Sequence, residues 1–265
     1  MTTKYAYLGP VGTFTEAALR TITGDQDQLI PCSNVTAALD MVRSGQAERA
    51  LVPIENSVEG VVARTLDELA IGDPLIITAE VLLPVTFAFM VRDEKAEIKR
   101  IATHPHAEAQ CRNYIAKNYP NAEIVSTNST AAAAEALAKG EYDAAIGAEV
   151  AATTYGLKVI NNNIGDIESA VTRFVLVSKP GALPEPTGFD RTSLAVFDEG
   201  PVVRSWRGLA LKETRYLAKP ISAHGQWSGI EPFTPDTSLA ATWEGKVLAI
   251  TRARIKWRKN LRFWG

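Results

Sequence analysis

The sequence predicts an α/β fold in two lobes with a cleft between them, from three observations. Strand-like apolar runs alternate with helical patterns through residues 1–180, which is typical of mainly parallel sheets. This length is long for one open sheet. A double apolar run at 75–91, broken at Pro84, indicates a crossing between lobes. We place lobe 1 at about 1–78 and 166–180, and lobe 2 at about 79–165.

The elements follow in chain order. Strands are predicted at residues 4–8, 50–53, 75–81, 85–91, 99–103, 123–126, 144–147 and 173–177. Helical patterns lie between them at 33–45, 60–70, 105–119 and 129–138. Ser33 caps the first helix, which stops at Gly45, and Pro105 begins the third, because proline is tolerated at a first helical position.

Composition excludes several classes of protein. Hydrophobic residues make up 46% and charged residues 22% of the 265 residues, which excludes wholesale disorder. No apolar run approaches the roughly 20 residues of a membrane span, and the N-terminus shows no signal-peptide core. The two cysteines, Cys32 and Cys111, lie in unrelated contexts. We therefore expect a cytoplasmic protein with reduced thiols and no membrane partner.

The net charge of −2 is the sum of two unlike parts. Residues 1–198 carry 16 basic and 25 acidic residues, whereas residues 199–265 carry 12 and 5, together with all five tryptophans. Residues 180–191 contain three prolines and two glycines, a composition typical of linkers. The sequence therefore predicts a linker at 181–190 and a separate region at 191–265.

Five segments at predicted strand ends are candidates for chemistry. They are GPVGTFTE at 9–16, PIENSVEG at 53–60, THPH at 103–106, TNST at 127–130 and AVTRF at 170–174. Taken singly, each is also compatible with an ordinary capped turn or a buried strand edge. The first is neither a dinucleotide-binding loop nor a Walker loop, because the glycine and lysine patterns of those loops are absent.

The histidine pair His104 and His106 raises the question of a metal. No nearby cysteine or carboxylate cluster completes a ligand set, as a zinc site would require. We predict no metal here, and a proline-initiated helix accounts better for the segment.

In this order and spacing, the motifs GPxGTFT, PIENSxEG, HPHAxAQC, STAAAA and TRF resemble the catalytic domain of prephenate dehydratases. The resemblance covers residues 4–178. It implies two α/β lobes like those of a periplasmic binding protein (type II), an active site in the cleft and no cofactor. It also implies a lyase that converts prephenate to phenylpyruvate, with loss of water and carbon dioxide, in phenylalanine biosynthesis.

The resemblance also implies roles for single residues. Thr172 would lie beside the leaving hydroxyl as acid or hydrogen-bond donor, and Arg173 would bind a carboxylate or fix the loop. The substrate-binding residues would be Thr13, Asn56, Ser57, Ser129, Thr130 and Phe174. Two alternatives stay open: an arogenate dehydratase, and a non-catalytic cytoplasmic ligand-binding module of the same two-lobe fold.

In this family an α+β ACT regulatory domain that binds phenylalanine normally follows. Residues 191–197 resemble its first strand, and the resemblance then largely stops, so we interpret 191–265 as a degenerate or frameshifted ACT-type region. A divergent regulatory domain and a basic tail that binds nucleic acid or membrane are the competing interpretations, and we predict neither partner. Because this region is disrupted, the sequence does not decide whether phenylalanine inhibits the protein. We expect a homo-oligomer if the region folds.

Overall fold

Two large β-sheets, of eight and five strands, form the framework of the described residues, which also include a two-stranded pair at 242–243 and 246–247. The computed structural model describes residues 2–181 and the strand backbone at 191–194, 242–243, 246–247 and 250–255. Most of the predicted ACT-type region, including the start of the Trp-rich part near residue 199, lies outside the described residues.

Strands and helices alternate along the described chain. The strands are β1 Lys4–Leu8, β2 Gln28–Cys32, β3 Arg49–Asn56, β4 Gly60–Val61, β5 Ile76–Pro84, β6 Ala88–Val91, β7 Arg100–Thr103, β8 Glu123–Ser126, β9 Ala144–Gly147, β10 Lys158–Asn161, β11 Val171–Ser178, β12 Arg191–Leu194, β13 Thr242–Trp243, β14 Lys246–Val247 and β15 Ile250–Ile255. The helices are α1 Phe14–Arg20, α2 Val35–Ser44, α3 Ala63–Ile71, α4 Pro105–Ala109, α5 Arg112–Asn118, α6 Thr130–Lys139 and α7 Glu149–Tyr155.

The first sheet has the order β12-β15-β5-β11-β3-β1-β2, and β4 pairs with β3. Strands β1, β2 and β3 are parallel, and β11 runs antiparallel to both of its neighbours. The carboxyl ends of β1 and β3 therefore meet the start of β11 at one edge. Three of the candidate segments follow or precede these strand ends.

The second sheet has the order β10-β6-β9-β7-β8. Strands β7, β8 and β9 are parallel, and β6 runs antiparallel to both of its neighbours, β9 and β10. The chain enters this sheet through residues 85–87 and leaves it through residues 162–170. Both crossings lie at the carboxyl edge of the parallel strands, because Ala88 pairs with Gly147 and Asn161 pairs with Phe89. The crossings leave and rejoin the first sheet at its own carboxyl edge, so the two edges face each other.

Helix α2 shows why the local sequence folds as it does. Asn34 caps its start by accepting a hydrogen bond from Ala37 N, and Gly45 ends it with φ +81°. Its apolar side chains recur at helical spacing and are buried in the first lobe: Val35, Ala38, Leu39 and Val42. This spacing places one face of the helix on the sheet.

The structure confirms the predicted α/β fold in two lobes and corrects several boundaries. Strand β5 stays paired with β11 up to Pro84, so the first sheet extends beyond the predicted lobe boundary at residue 78. The predicted helix over 105–119 is broken at Gln110 and Cys111. The helix cap predicted at Ser33 is Asn34, whose side chain makes the capping bond.

Within the described part of the chain, no helix combines the length and apolar character needed to cross a bilayer.

Candidate active site

The strongest contact among the candidate residues joins two motifs that are distant in sequence. Strand β11 pairs with β3 so that Thr172 lies opposite Asn56. Asn56 Nδ2 donates a hydrogen bond of 2.8 Å to Thr172 Oγ1. Thr172 is 8% exposed. Because its oxygen accepts this bond, the hydrogen of the Thr172 hydroxyl remains to be donated elsewhere.

Asn56 also shapes the loop that follows it. Its Oδ1 accepts hydrogen bonds from Val58 N at 2.8 Å and Glu59 N at 3.1 Å. Such a side-chain-to-backbone turn holds the asparagine amide in one orientation. The predicted substrate-binding residue Asn56 therefore orients Thr172 and the 56–59 turn together.

Ser57 fastens the same two strands. Its backbone N donates to Val171 O at 2.9 Å, and its Oγ accepts from Val171 N at 2.9 Å. The structure thus places Ser57 beside Thr172, with its hydroxyl oxygen engaged by the backbone of β11.

Arg173 is held by acidic side chains of the protein. Its guanidinium contacts the Glu80 carboxylate through Nε and Nη2, and its Nη1 lies 3.5 Å from Glu55 Oε2. The side chains of Arg173 and Glu80 are 11% and 4% exposed. Of the two predicted roles, carboxylate binding and fixing the loop, this geometry favours a fixing role, exerted here on strand β11. The sequence did not identify Glu80 as a candidate, because a single glutamate within the apolar run of β5 does not indicate which basic residue it pairs with.

Phe174 is 2% exposed and packs with Tyr7, Leu51 and Val81 in the first lobe. Phe174, predicted to bind substrate, is thus packed behind the site rather than exposed to it.

Thr13 caps α1 at the carboxyl end of β1. Its Oγ1 accepts from Glu16 N at 3.4 Å and donates to Leu8 O at 3.2 Å. The Glu16 carboxylate, 1% exposed, accepts from Gly12 N at 2.6 Å and from Arg20 Nη2 at 2.6 Å. These bonds hold the 9–13 loop against the start of the helix.

Next to this carboxylate lies a buried tyrosine. Tyr7 donates its hydroxyl to Glu16 Oε2 at 3.3 Å. Burial, and then the negative charge of Glu16, raise the pKa of Tyr7 well above its ordinary value. Tyr7 therefore stays protonated as a donor to Glu16.

The same loop meets the second lobe. Tyr155 of α7 donates its hydroxyl to Val11 O at 3.0 Å. Phe14 packs against apolar clusters of both lobes, and its ring meets Phe87 edge-on at 5.5 Å between centroids. The first motif thus joins the lobes as well as the site.

Ser129 and Thr130 lie at the carboxyl edge of the second sheet. Ser129 caps α6, and its Oγ accepts from Ala132 N at 2.9 Å. Thr130 lies close to the end of β9, since a Cβ added at Gly147 would be 3.1 Å from Thr130 Cβ. The two residues occupy the opposite side of the cleft from Thr172.

The histidine segment supplies a contact between the two carboxyl edges. His106 Nδ1 lies 2.6 Å from Glu59 Oε2, and His106 N donates to His104 Nδ1 at 3.3 Å. Burial, and then the neighbouring His106, lower the pKa of His104, while Glu59 opposes this shift. Sequence reasoning missed the pairing of Glu59 and His106, which are far apart in the chain.

Across residues 2–181 and the described strands beyond, no three His, Cys, Asp or Glu side chains converge as a metal-binding group.

Comparison with known proteins places this geometry in a family. Residues 5–182 match the family model for prephenate dehydratase. A prephenate dehydratase from Amycolatopsis methanolica is 52% identical over 192 residues, which cover 72% of this chain and 63% of that protein. One from Mycobacterium sp. (strain JLS) is 45% identical over 235 residues, 82% of this chain and 75% of that protein.

A solved structure shares the fold. The prephenate dehydratase from Arthrobacter aurescens, crystallised in complex with L-Phe, is 51% identical with a TM-score of 0.68. The match covers 72% of this chain and 64% of that one. The chain therefore spans a little under two thirds of the length of this protein and of the Amycolatopsis relative.

Proposed function

Since the chain belongs to the prephenate dehydratase family, we propose that it converts prephenate to phenylpyruvate, with loss of carbon dioxide and water, on the route to phenylalanine. The observation that carries the proposal is the partly buried bond from Asn56 to the buried Thr172, at the carboxyl edge of the first sheet. It holds the threonine hydroxyl in place where the 53–60 and 170–174 segments meet.

The reaction needs little covalent chemistry from the protein. The ring carboxylate leaves as carbon dioxide, its bonding electrons complete the aromatic ring, and hydroxide is expelled from the opposite ring carbon. With one proton, the hydroxide leaves as water. Aromatisation supplies the driving force, so the protein has to orient the substrate, exclude water and assist departure of the hydroxyl.

Thr172 is suited to assist that departure. Asn56 donates to Thr172 Oγ1, which makes the threonine hydroxyl a better donor because hydrogen-bonded chains polarise one another. A threonine hydroxyl is a weak acid, so we assign it a hydrogen bond to the departing oxygen rather than complete proton transfer.

Arg173 and Phe174 support this placement from behind. The guanidinium is bonded to Glu80 and Glu55, so we assign Arg173 to holding β11 in place rather than to binding substrate. Thr13, Asn56, Ser57, Ser129 and Thr130 line the two facing edges in this proposal. The helix N-terminus behind Ser129 favours an anion there.

The broader organisation also remains a proposal. We propose that the two lobes form the catalytic domain, that 181–190 links it to an ACT-type region at 191–265, and that the protein acts in the cytoplasm. The Arthrobacter relative was crystallised with L-Phe, which supports phenylalanine as an effector. A homo-oligomer would form if the ACT-type region folds.

A direct assay tests the reaction. The purified chain is incubated with prephenate or with arogenate, and phenylpyruvate is followed by its absorbance in strong alkali, or phenylalanine by chromatography. We expect turnover of prephenate. Turnover of arogenate alone would favour arogenate dehydratase, and binding without turnover would favour the ligand-binding module.

Substitution of Thr172 tests the site. We expect Thr172→Ala to lower kcat by about 100-fold or more, because positioned proton donors contribute about 10²–10⁴-fold. Thr172→Ser should keep much of the activity, since it keeps the hydroxyl. Thr154→Ala removes an exposed threonine of α7 and serves as the matched control. Near-wild-type turnover by Thr172→Ala would refute the assignment.

A further inference from the structure

A line of bonded groups runs from Thr172 across the cleft to the second lobe. Asn56 joins Thr172 to the backbone of Glu59 through bonds of 2.8 and 3.1 Å. The Glu59 carboxylate then meets His106 of α4 at 2.6 Å. Glu59 and His106 therefore lie next to the proposed reaction centre and belong to opposite lobes.

The substrate of the proposed reaction carries two carboxylates, and two basic side chains near Thr172, those of Arg173 and His106, differ in how they are held. Arg173 is 11% exposed and is bonded to Glu80 and Glu55. His106 is 61% exposed and is paired with Glu59, which is itself 39% exposed. An exposed pair of this kind is held weakly, so an incoming carboxylate can replace Glu59 at modest cost.

Glu59 is the acidic group that contacts His106 among the charged groups considered around it. On its own helix, His104 is an N-cap whose Nδ1 accepts from His106 N, and Glu108 lies two residues further along α4, away from the i+3 and i+4 positions that share a helix face. From the first lobe, the 56–60 turn brings Glu59 against it.

We propose that His106 binds one carboxylate of the substrate, and that Glu59 holds His106 in the same position beforehand. Glu59 and substrate then compete for one imidazole, so Glu59 weakens binding while it keeps the histidine oriented and the lobes in contact. This inference rests on the proposed function and adds a specificity residue to it.

The competition makes a prediction that a purely structural pair does not. His106→Gln removes the imidazole and should raise KM for prephenate about fivefold, a change of about 1 kcal/mol, with kcat within about twofold. Glu59→Gln removes the competing charge and should lower KM about threefold. In the double variant, KM should equal that of His106→Gln, because Glu59 acts only through His106.

The opposite signs decide between the two interpretations. If the pair only braces the lobes, both single variants lose the same brace and shift KM in the same direction, which would overturn the inference. His106→Lys keeps a basic side chain at this position and should hold KM within about twofold of wild type. Failure of this rescue, with both variants folded, would also count against it.

The controls separate this inference from the proposed function. Lys139→Gln breaks an exposed pair with Glu135, 2.6 Å apart, at the far end of α6, and should leave KM unchanged. Thermal unfolding of each variant checks that it is folded. Turnover with same-sign KM shifts overturns only the role of His106, whereas absence of wild-type turnover overturns the proposed function and this inference with it.

Discussion

The buried pair of Glu80 and Arg173 should be the costliest polar contact to break next to the site. Glu80→Gln keeps the shape and removes the charge. Removing one partner of a buried ion pair costs about 3–5 kcal/mol. Glu55, 3.5 Å from Arg173 Nη1, still faces the guanidinium, so we expect the lower end, about 3 kcal/mol of unfolding free energy.

The assay is urea unfolding of the purified chain, with thermal unfolding as a second probe. A loss of this size corresponds to a fall in Tm of about 6–12 °C for a domain of this size. We also expect kcat to fall, because Arg173 adjoins Thr172 in β11. Glu123→Gln is the matched control: its pair with Arg100, at 3.4 Å, is 47% and 68% exposed, and should contribute about 0.5 kcal/mol or less.

A double variant distinguishes the loss of the ion pair from a change in side-chain packing. Glu80→Gln combined with Arg173→Met removes both charges of the buried pair, and only the more exposed Glu55 loses a partner. The loss should therefore be smaller than the sum of the two single losses. The reasoning would be refuted if Glu80→Gln unfolded within about 0.5 kcal/mol of wild type, or if the two losses simply added.

Three further predictions concern the lobe contact, a thiol and a histidine. Gly12 has φ +88°, and a Cβ there would lie 3.1 Å from the Tyr155 ring, whereas Gly156 has φ +67° and a Cβ there would have no atom within 4 Å. In urea unfolding, Gly156→Ala should lose about 1–2 kcal/mol of unfolding free energy from backbone strain, and Gly12→Ala should lose more. Equal losses would contradict the close contact at Gly12. Burial raises the pKa of Cys111 to about 12, so a thiol reagent at pH 8 should label it only after denaturant is added, and rapid labelling of the native protein would be inconsistent with that burial. Burial lowers the pKa of His104 below its ordinary value, so on acidification the unfolded state takes up a proton there before the folded state does, and stability should fall as pH drops below about 6.5. Urea unfolding at pH 7.5 and 5.5 should show a smaller fall in stability for His104→Gln than for wild type. An equal fall would exclude His104 as the origin.

The central strands could be predicted from sequence because each is a short apolar run bounded by turn residues. Two strands within residues 2–181 that the sequence did not predict, β2 and β10, lie at sheet edges. Strand β2 contains Pro31 and is only partly buried, and proline is accepted in edge strands because one side needs no donor. Strand β10 also lies at an edge, with mostly exposed residues. Edge strands lack the hydrophobic pattern on which such predictions depend.

The candidate site was predictable as motifs but not as contacts. Asn56 and Thr172 are 116 residues apart, and their bond depends on β11 returning beside β3. The acidic partner of Arg173, Glu80, lies in β5, where its charge stands alone in an apolar run. Local patterns report turns and caps, whereas pairings of this kind depend on tertiary topology.

The position of β11 has a consequence for synthesis on the ribosome. This strand lies between β3 and β5, yet it is translated after the whole second lobe. Until residue 178 has emerged, β5 has no neighbour linking it to β3, so the first sheet stays divided while the second lobe can already fold. Thr172 arrives on the strand that closes this gap, and the nascent chain therefore acquires its proposed reactive hydroxyl only in the step that joins β5 to β3.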